Sequence, residues 1–233
     1  MSKESALKDL ISSFSVCDDM ELEEMDRLLE QEEQDRFRKQ QLEKYTACGV
    51  DYKFFGVKLT DLLPSLSDEQ CKMITDFIED VRRGKQRVLW ICGSKGTGKT
   101  ALASAVLKEL ILTGQRGIFM QSNDYMDRLK AAESFSAKES VLQVKKTVLE
   151  NNIAVFDEVG REFYSDYARY QYFDYINKAY ASGRSYIMTA QMGKMELATY
   201  LTSAAVDRLT GHCKCIEFQG DSWRGKPGEL YVL

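Results

Sequence analysis

The stretch Gly93-Ser94-Lys95-Gly96-Thr97-Gly98-Lys99-Thr100 constrains this chain more than any other feature. It fulfils the pattern G-x-x-x-x-G-K-[ST]. It follows an apolar pentad, Val88-Leu89-Trp90-Ile91-Cys92, and precedes helical text running from Lys99 to about Leu112. A buried strand, a glycine loop and a helix in that order form a cradle for phosphate. The glycines let the backbone wrap closely, and the helix N-terminus adds partial positive charge. The cradle is expected to run from Gly93 to Ala101, with Lys99 reaching the β- and γ-phosphates and Thr100 holding Mg²⁺ through its hydroxyl.

The remaining text fits such a loop into a parallel sheet. Ser67 and Gln70 have the spacing of a capping box. Behind them Cys71, Ile74, Ile78 and Val81 make a stripe widened by Phe77, with Gly84 at the C-terminal cap. Strands are expected at 117–120, 153–156, 185–189 and 215–218. Helices are expected at 124–132, 137–150, 163–181 and 195–201. Strands alternating with helices predict an α/β fold, a five-stranded parallel sheet between helices. Ahead of this domain, 67–233, residues 47–66 with Gly49, Gly56 and Pro64 read as a connector. Residues 1–46 read as a helical, partner-binding extension, with stripes at Leu7, Leu10, Ile11 and Phe14 and at Leu22, Met25, Leu28 and Leu29.

Charge is unevenly placed. Residues 18–35 carry ten acids and one base, whereas the whole chain has a net charge of −4, so the remainder is basic by +5. An acidic appendage on a basic body suits an anionic partner for the body, although a solvated acidic helix face gives the same run. No apolar run approaches the roughly 18 residues of a membrane span, and the N-terminus has no secretory apolar stretch. The six cysteines contain no C-x-x-C pair and are read as reduced thiols of a cytoplasmic protein. His212, Cys213 and Cys215 are read as part of a packed strand rather than a metal site.

Hydrolysis of a bound triphosphate needs a metal anchor and a base that orients water. Asn152-Ile153-Ala154-Val155-Phe156-Asp157-Glu158 ends an apolar strand in two carboxylates. Asp157 is expected to bind Mg²⁺ mostly through its waters, and Glu158 to polarise the attacking water. The strand ending Met188-Thr189-Ala190-Gln191 sets Thr189 and Gln191 at the same edge, either within reach of the water or γ-phosphate, or simply capping the strand. Two late arginines, Arg208 and Arg224, could each supply a cation to a γ-phosphate or form ordinary surface ion pairs.

With these pieces together, the sequence resembles the DnaC-type replicative helicase loaders, within the AAA+ group that also holds the IstB-type transposition helper ATPases. The resemblance runs from about Tyr45 to Arg224. It rests on the glycine loop, Phe156-Asp157-Glu158-Val159-Gly160, Thr189-Ala190-Gln191, Asp207-Arg208-Leu209 and Gly220-Asp221-Ser222-Trp223-Arg224. It implies that Arg208 is an arginine finger acting on a neighbour's ATP, that Arg224 is a second sensor in its own subunit, and that Gln191 stands where the family more often has Asn as first sensor. With nine residues after Arg224, it implies no C-terminal lid domain. It further implies a spiral self-assembly around single-stranded DNA, contacted by Lys130, Phe135, Ser165 and Tyr167, and N-terminal helices that bind a hexameric helicase. The function so implied is a slow, switch-like ATPase that loads the helicase during replication initiation. An IstB-type helper acting on duplex DNA, or a phage-encoded adaptor or inhibitor of replication proteins, shares the same site.

Overall fold

The structure, a computed structural model, describes residues 19–160 and 166–218. The chain divides into two compact units, residues 1–40 and 41–233. Helix α1 spans Asp19–Thr46. Its residues 27–40 are exposed on every side, including Leu28, Leu29 and Phe37. The first expected stripe, Leu7 to Phe14, lies outside the described residues.

The second unit is built on a sheet of β1 (Val88–Gly93), β2 (Gly117–Gln121), β3 (Ile153–Val159), β4 (Ser185–Ala190) and β5 (Cys213–Phe218). The order across the sheet is β2-β3-β4-β1-β5, with every pair parallel. This is the α/β architecture read from the alternation of strands and helices. β1, β3 and β4 are buried almost throughout because both faces are covered, which is why they read as unbroken apolar runs.

One face carries α3 (Asp68–Arg82) and α4 (Lys99–Leu112). Leu89, Ile91, Phe119, Val155, Ile187 and Ile216 pack there against Phe77, Leu102, Val106 and Leu110. α3 starts where the capping box predicts: Ser67 Oγ accepts from Gln70 N–H at 3.2 Å, and Gln70 Oε1 accepts from Ser67 N–H at 2.9 Å. The opposite face carries α5 (Ser122–Ala131), α6 (Val141–Leu149), α7 (Asp166–Ala181), α8 (Lys194–Tyr200) and α9 (Ser203–Leu209). Here Phe156 is a hub, with ring centroids 5.2 Å from Tyr125, 5.8 Å from Tyr172 and 4.7 Å from Tyr175. The tyrosine-rich text of α7 is therefore mainly packing, though Tyr170 and Tyr180 remain exposed.

Residues 47–66, read above as a connector, are folded onto the domain. Cys48, Val50 and Leu62 are buried with α4. The Cys48 carbonyl accepts from Phe119 N–H at 2.7 Å, which covers the outer edge of β2. Gly49, at φ 99, meets Phe119 O so closely that a Cβ has no room. α2 (Leu59–Leu62) and short 3₁₀ turns at Tyr52–Phe54 and Leu63–Ser65 complete this wall. Helix α9 was not expected. Thr202 caps it by accepting from Ala205 N–H at 3.3 Å, a signal too short to stand out in sequence.

Candidate functional site

The glycine loop leaves β1 and enters α4 at the carboxyl edge of the sheet. Gly93, Gly96 and Gly98 have φ 138, 85 and 94, which side-chain-bearing residues resist. At Gly93 a Cβ would also overlap the Phe218 carbonyl. Lys99 is 8% exposed, and its Nζ donates to Gly93 O at 2.9 Å and Ser94 O at 2.6 Å. Thr97 Oγ1 donates to Ser94 O at 2.9 Å. The lysine is thus held by the loop that it would leave, in part, to meet a phosphate.

Asp157 and Glu158 lie near the C-terminal end of β3. A regular strand would point them to opposite faces. Instead the register with β4 slips between Phe156 and Val159, and Glu158 takes φ 61, the positive value found for a non-glycine among the described residues. A bulge of this kind re-aims side chains next to active sites. Its result is that Glu158 lines the loop cavity while Asp157 turns into the protein floor.

Asp157 is 1% exposed. Oδ1 accepts from Thr189 Oγ1 at 2.5 Å and Thr100 Oγ1 at 3.0 Å. Oδ2 accepts from Thr100 Oγ1 at 3.1 Å and Gln121 Nε2 at 3.0 Å. Burial raises its carboxyl above the usual range, opposed by the hydrogen bonds of Thr189, Thr100 and Gln121; the neighbouring Glu158 charge raises it further. Thr189 is fully buried and absent from the cavity wall. Its hydroxyl donates to Asp157 and accepts from Glu158 N–H at 2.9 Å. It therefore holds the two acids from within the protein, away from the cavity wall. Gln191 is exposed and lines the cavity.

The cavity measures about 370 Å³ and suits a small-molecule ligand in size. Its lining includes Lys95 to Ala101, Glu158, Gly160 and Gln191. Phe54, Val57, Leu62 and Phe218 add apolar surface to the same lining, alongside the polar Lys53, Ser65 and Glu196. Phe54 and Val57 are not legible in the sequence as lining residues, because they follow no helical or strand period. Gln121 was missed as well; a glutamine ending a strand carries no signal until the register with β3 is known.

The other expected residues fall elsewhere. Arg208, on α9, is outside this cavity and donates to Ala204 O at 2.7 Å. It lines a separate pocket with Asn177, Tyr180 and His212. Lys130 Nζ lies 5.7 Å from the Tyr167 ring centroid, and Tyr167 OH donates to Glu133 at 2.8 Å. Burial, then Glu133, pushes the Tyr167 phenol up to about 12. Phe135 is fully exposed in the loop after α5. Ser165 and Arg224 lie outside the described residues. Among the described residues, no group of three or more His, Cys, Asp and Glu side chains is placed to hold a metal ion. No described helix is long and apolar enough to cross a membrane.

Comparison with known proteins adds a family to this geometry. A family model described as IstB-like ATP binding protein matches residues 18–229. The replicative helicase loader DnaC of Buchnera aphidicola subsp. Baizongia pistaciae (strain Bp) is 29% identical over 140 residues, 58% of this chain and 55% of that protein. The DnaC of Escherichia coli (strain K12) is 27% identical over 137 residues, with 58% and 55% coverage. The chain thus spans about half the length of the curated relatives it matches. Among solved structures, a crystal structure of the DnaC helicase loader superposes with a TM-score of 0.62 at 26% identity, covering 72% of this chain and 100% of that one.

Proposed function

This chain belongs to the IstB-like family of ATP-binding AAA+ P-loop proteins, and from that premise we propose that it is an ATP-dependent loader of a replicative helicase onto single-stranded DNA. The observation that carries the reading is the contact of Thr100 with Asp157 beside a cavity that also holds Lys99 and Glu158. The similarity to DnaC loaders supplies the helicase.

Each residue has a task in this account. Lys99 exchanges loop carbonyls for the β- and γ-phosphates. Phe54, Val57 and Leu62 enclose the base. Glu158, aimed by the bulge, accepts a hydrogen bond from the attacking water and turns its oxygen towards phosphorus. Gln191 stands at the same wall as an amide sensor. Two oxygen-bearing side chains 3.0 Å apart, one of them ionisable, fit a hard divalent cation. Thr100 and Asp157 would hold Mg²⁺, which supplies charge neutralisation on the phosphates when bound. Arg208 lies outside its own cavity, so its charge serves a neighbouring subunit's ATP, and Arg224 serves the same subunit. ATP then joins subunits into a spiral, and slow hydrolysis releases them. Lys130, Tyr167, Phe135 and Ser165 face the DNA, combining charge with aromatic surface. The 1–46 segment, with its exposed Leu28, Leu29 and Phe37, receives the helicase.

The family description itself favours a second reading, an IstB-type helper on duplex DNA. One experiment divides the two. The protein is mixed with the replicative helicase of its host, ATP and single-stranded DNA, and the complexes are weighed. A helicase ring carrying about six copies supports loading, by analogy with other ATP-dependent ring assemblies. Absence of helicase binding together with filaments on duplex DNA overturns it.

A further inference from the structure

Three cysteines share one face at the edge of the sheet. Cys92 ends the apolar run of β1 and is bonded directly to Gly93, the first residue of the cradle. Cys213 and Cys215 alternate along β5, the outermost strand beside β1. In the parallel register Trp90 faces Cys215 and Cys92 faces Glu217, so Cys92 and Cys215 are diagonal neighbours on one side. Their sulfurs lie 3.7 Å apart, and no disulfide joins them. Cys92 is fully buried, whereas Cys215 is only half-buried, on the edge strand of the sheet among the described residues.

We propose that Cys92 and Cys215 form an oxidation site at which hydrogen peroxide closes a disulfide that weakens nucleotide binding. The effect on nucleotide rests on the phosphate-cradle reading above; the cross-link itself does not. Cys215, the more accessible thiol, reacts first. Its sulfur attacks one peroxide oxygen, the O–O bond breaks, and water leaves, giving a sulfenic acid on Cys215. The Cys92 sulfur then attacks the Cys215 sulfur. The S–S bond forms, the S–O bond breaks, and the hydroxyl departs as water with the Cys92 proton. Two thiols are oxidised by two electrons in total, and one peroxide is reduced to two waters.

The consequence follows from where Cys92 sits. A disulfide requires the sulfurs to close from 3.7 Å to about 2 Å. Side-chain rotation takes up part of this, and the rest draws the end of β1 towards β5. There is no slack at that point, because the Phe218 carbonyl already fills the space where a Cβ on Gly93 would stand. Gly93 O is also an anchor of Lys99 Nζ. Displacing Gly93 therefore displaces the lysine and the loop that follows. Hydrogen bonding to Cys215, then burial, raises the Cys92 thiol; the order of reaction rests on exposure, Cys92 being buried and Cys215 partly exposed.

The test uses the full chain, reduced and then treated with hydrogen peroxide, with and without later reduction by dithiothreitol. Peptide mass spectrometry reads the cross-link, and a fluorescent ATP analogue reads affinity. The expected result is a peptide pair joining Cys92 to Cys215 and a loss of ATP affinity of tenfold or so (about 1.4 kcal/mol) that dithiothreitol reverses. Cys215→Ser should keep its ATP affinity through peroxide treatment, and Cys213→Ser should behave as the unmodified chain. Failure of the 92–215 pair to form, or a quantitative cross-link that leaves affinity unchanged, overturns the proposal. A reduced protein that binds no ATP refutes the cradle instead and removes the affinity effect, while the joined peptide still decides the oxidation site.

Discussion

Thr189→Val removes one hydroxyl and preserves shape, and the structure says what that hydroxyl holds. It donates to Asp157 Oδ1 at 2.5 Å and accepts from Glu158 N–H at 2.9 Å. The first contact is buried, since Thr189 is fully buried and Asp157 nearly so, and the second is part-buried beside the cavity. Valine leaves a buried carboxylate one donor short and a backbone N–H without its acceptor. A hydrogen bond to a charged group is worth about 1.5–3 kcal/mol and an orphaned buried donor costs about 1–3 kcal/mol, so the variant should lose about 3 kcal/mol. With a slope of about 2–3 kcal/mol/M for a domain of this size, the urea midpoint falls by about 1 M. Thr189→Ser keeps the hydroxyl and loses a methyl, at a cost of about 1 kcal/mol. The order unmodified, Ser, Val is opposite to what packing alone predicts, because valine fills the space better. Hydrolysis should fall further than ATP affinity in the valine variant, since Glu158 loses the contact that fixes its left-handed backbone. A serine variant as unstable as the valine one, or a valine variant with normal hydrolysis, refutes this reasoning.

Three further outcomes are expected. Asp157 has a raised carboxyl in the folded chain, chiefly from burial. The folded state therefore holds its proton more tightly than the unfolded state, and stability from this group declines as pH rises through the ordinary carboxylate range to the raised folded value. Asp157→Asn removes that decline, so by urea titration without nucleotide its stability should vary less with pH across this range than that of the unmodified chain; an unchanged pH profile contradicts the burial argument. Lys99→Ala should weaken ATP binding by about 30-fold or more, corresponding to about 2 kcal/mol for a charge-assisted contact, and calorimetry showing unchanged affinity refutes the cradle. Lys130→Ala should weaken single-stranded DNA binding and lower the salt slope by about 0.7, one phosphate contact; an unaltered slope places the DNA elsewhere.

What could be read from the sequence was local. The glycine loop, its strand and its helix are contiguous, and the sheet followed from alternation. The acid pair at 157–158 was visible because a strand must end somewhere near the phosphates. What could not be read depends on contacts between distant segments. The bulge that turns Glu158 into the cavity exists through the β3–β4 register. Gln121 meets Asp157 because β2 lies beside β3. Residues 47–66 looked like a connector since their apolar side chains obey no period, yet Phe54, Val57 and Leu62 wall the cavity. The boundaries of α5 and α6 moved for simple reasons. Ser122 enters α5 directly from β2, and Ser140 starts α6 with a capping box to Gln143 that cuts off the preceding residues.

The central claim is that the cavity is half of a catalytic site, with Arg208 supplied by the next subunit. Complementation between two inactive chains tests it most directly. Arg208→Ala should bind ATP and not hydrolyse it, and Glu158→Gln should do the same for a different reason. In a mixture, an Arg208→Ala subunit has an intact Glu158 and can receive Arg208 from a Glu158→Gln neighbour. The account predicts that ATPase activity, absent from each variant alone, returns on mixing, and approaches about a quarter of the unmodified rate if subunits pair at random. Activity that stays at zero in mixed oligomers, or an Arg208→Ala chain that hydrolyses ATP normally by itself, contradicts it.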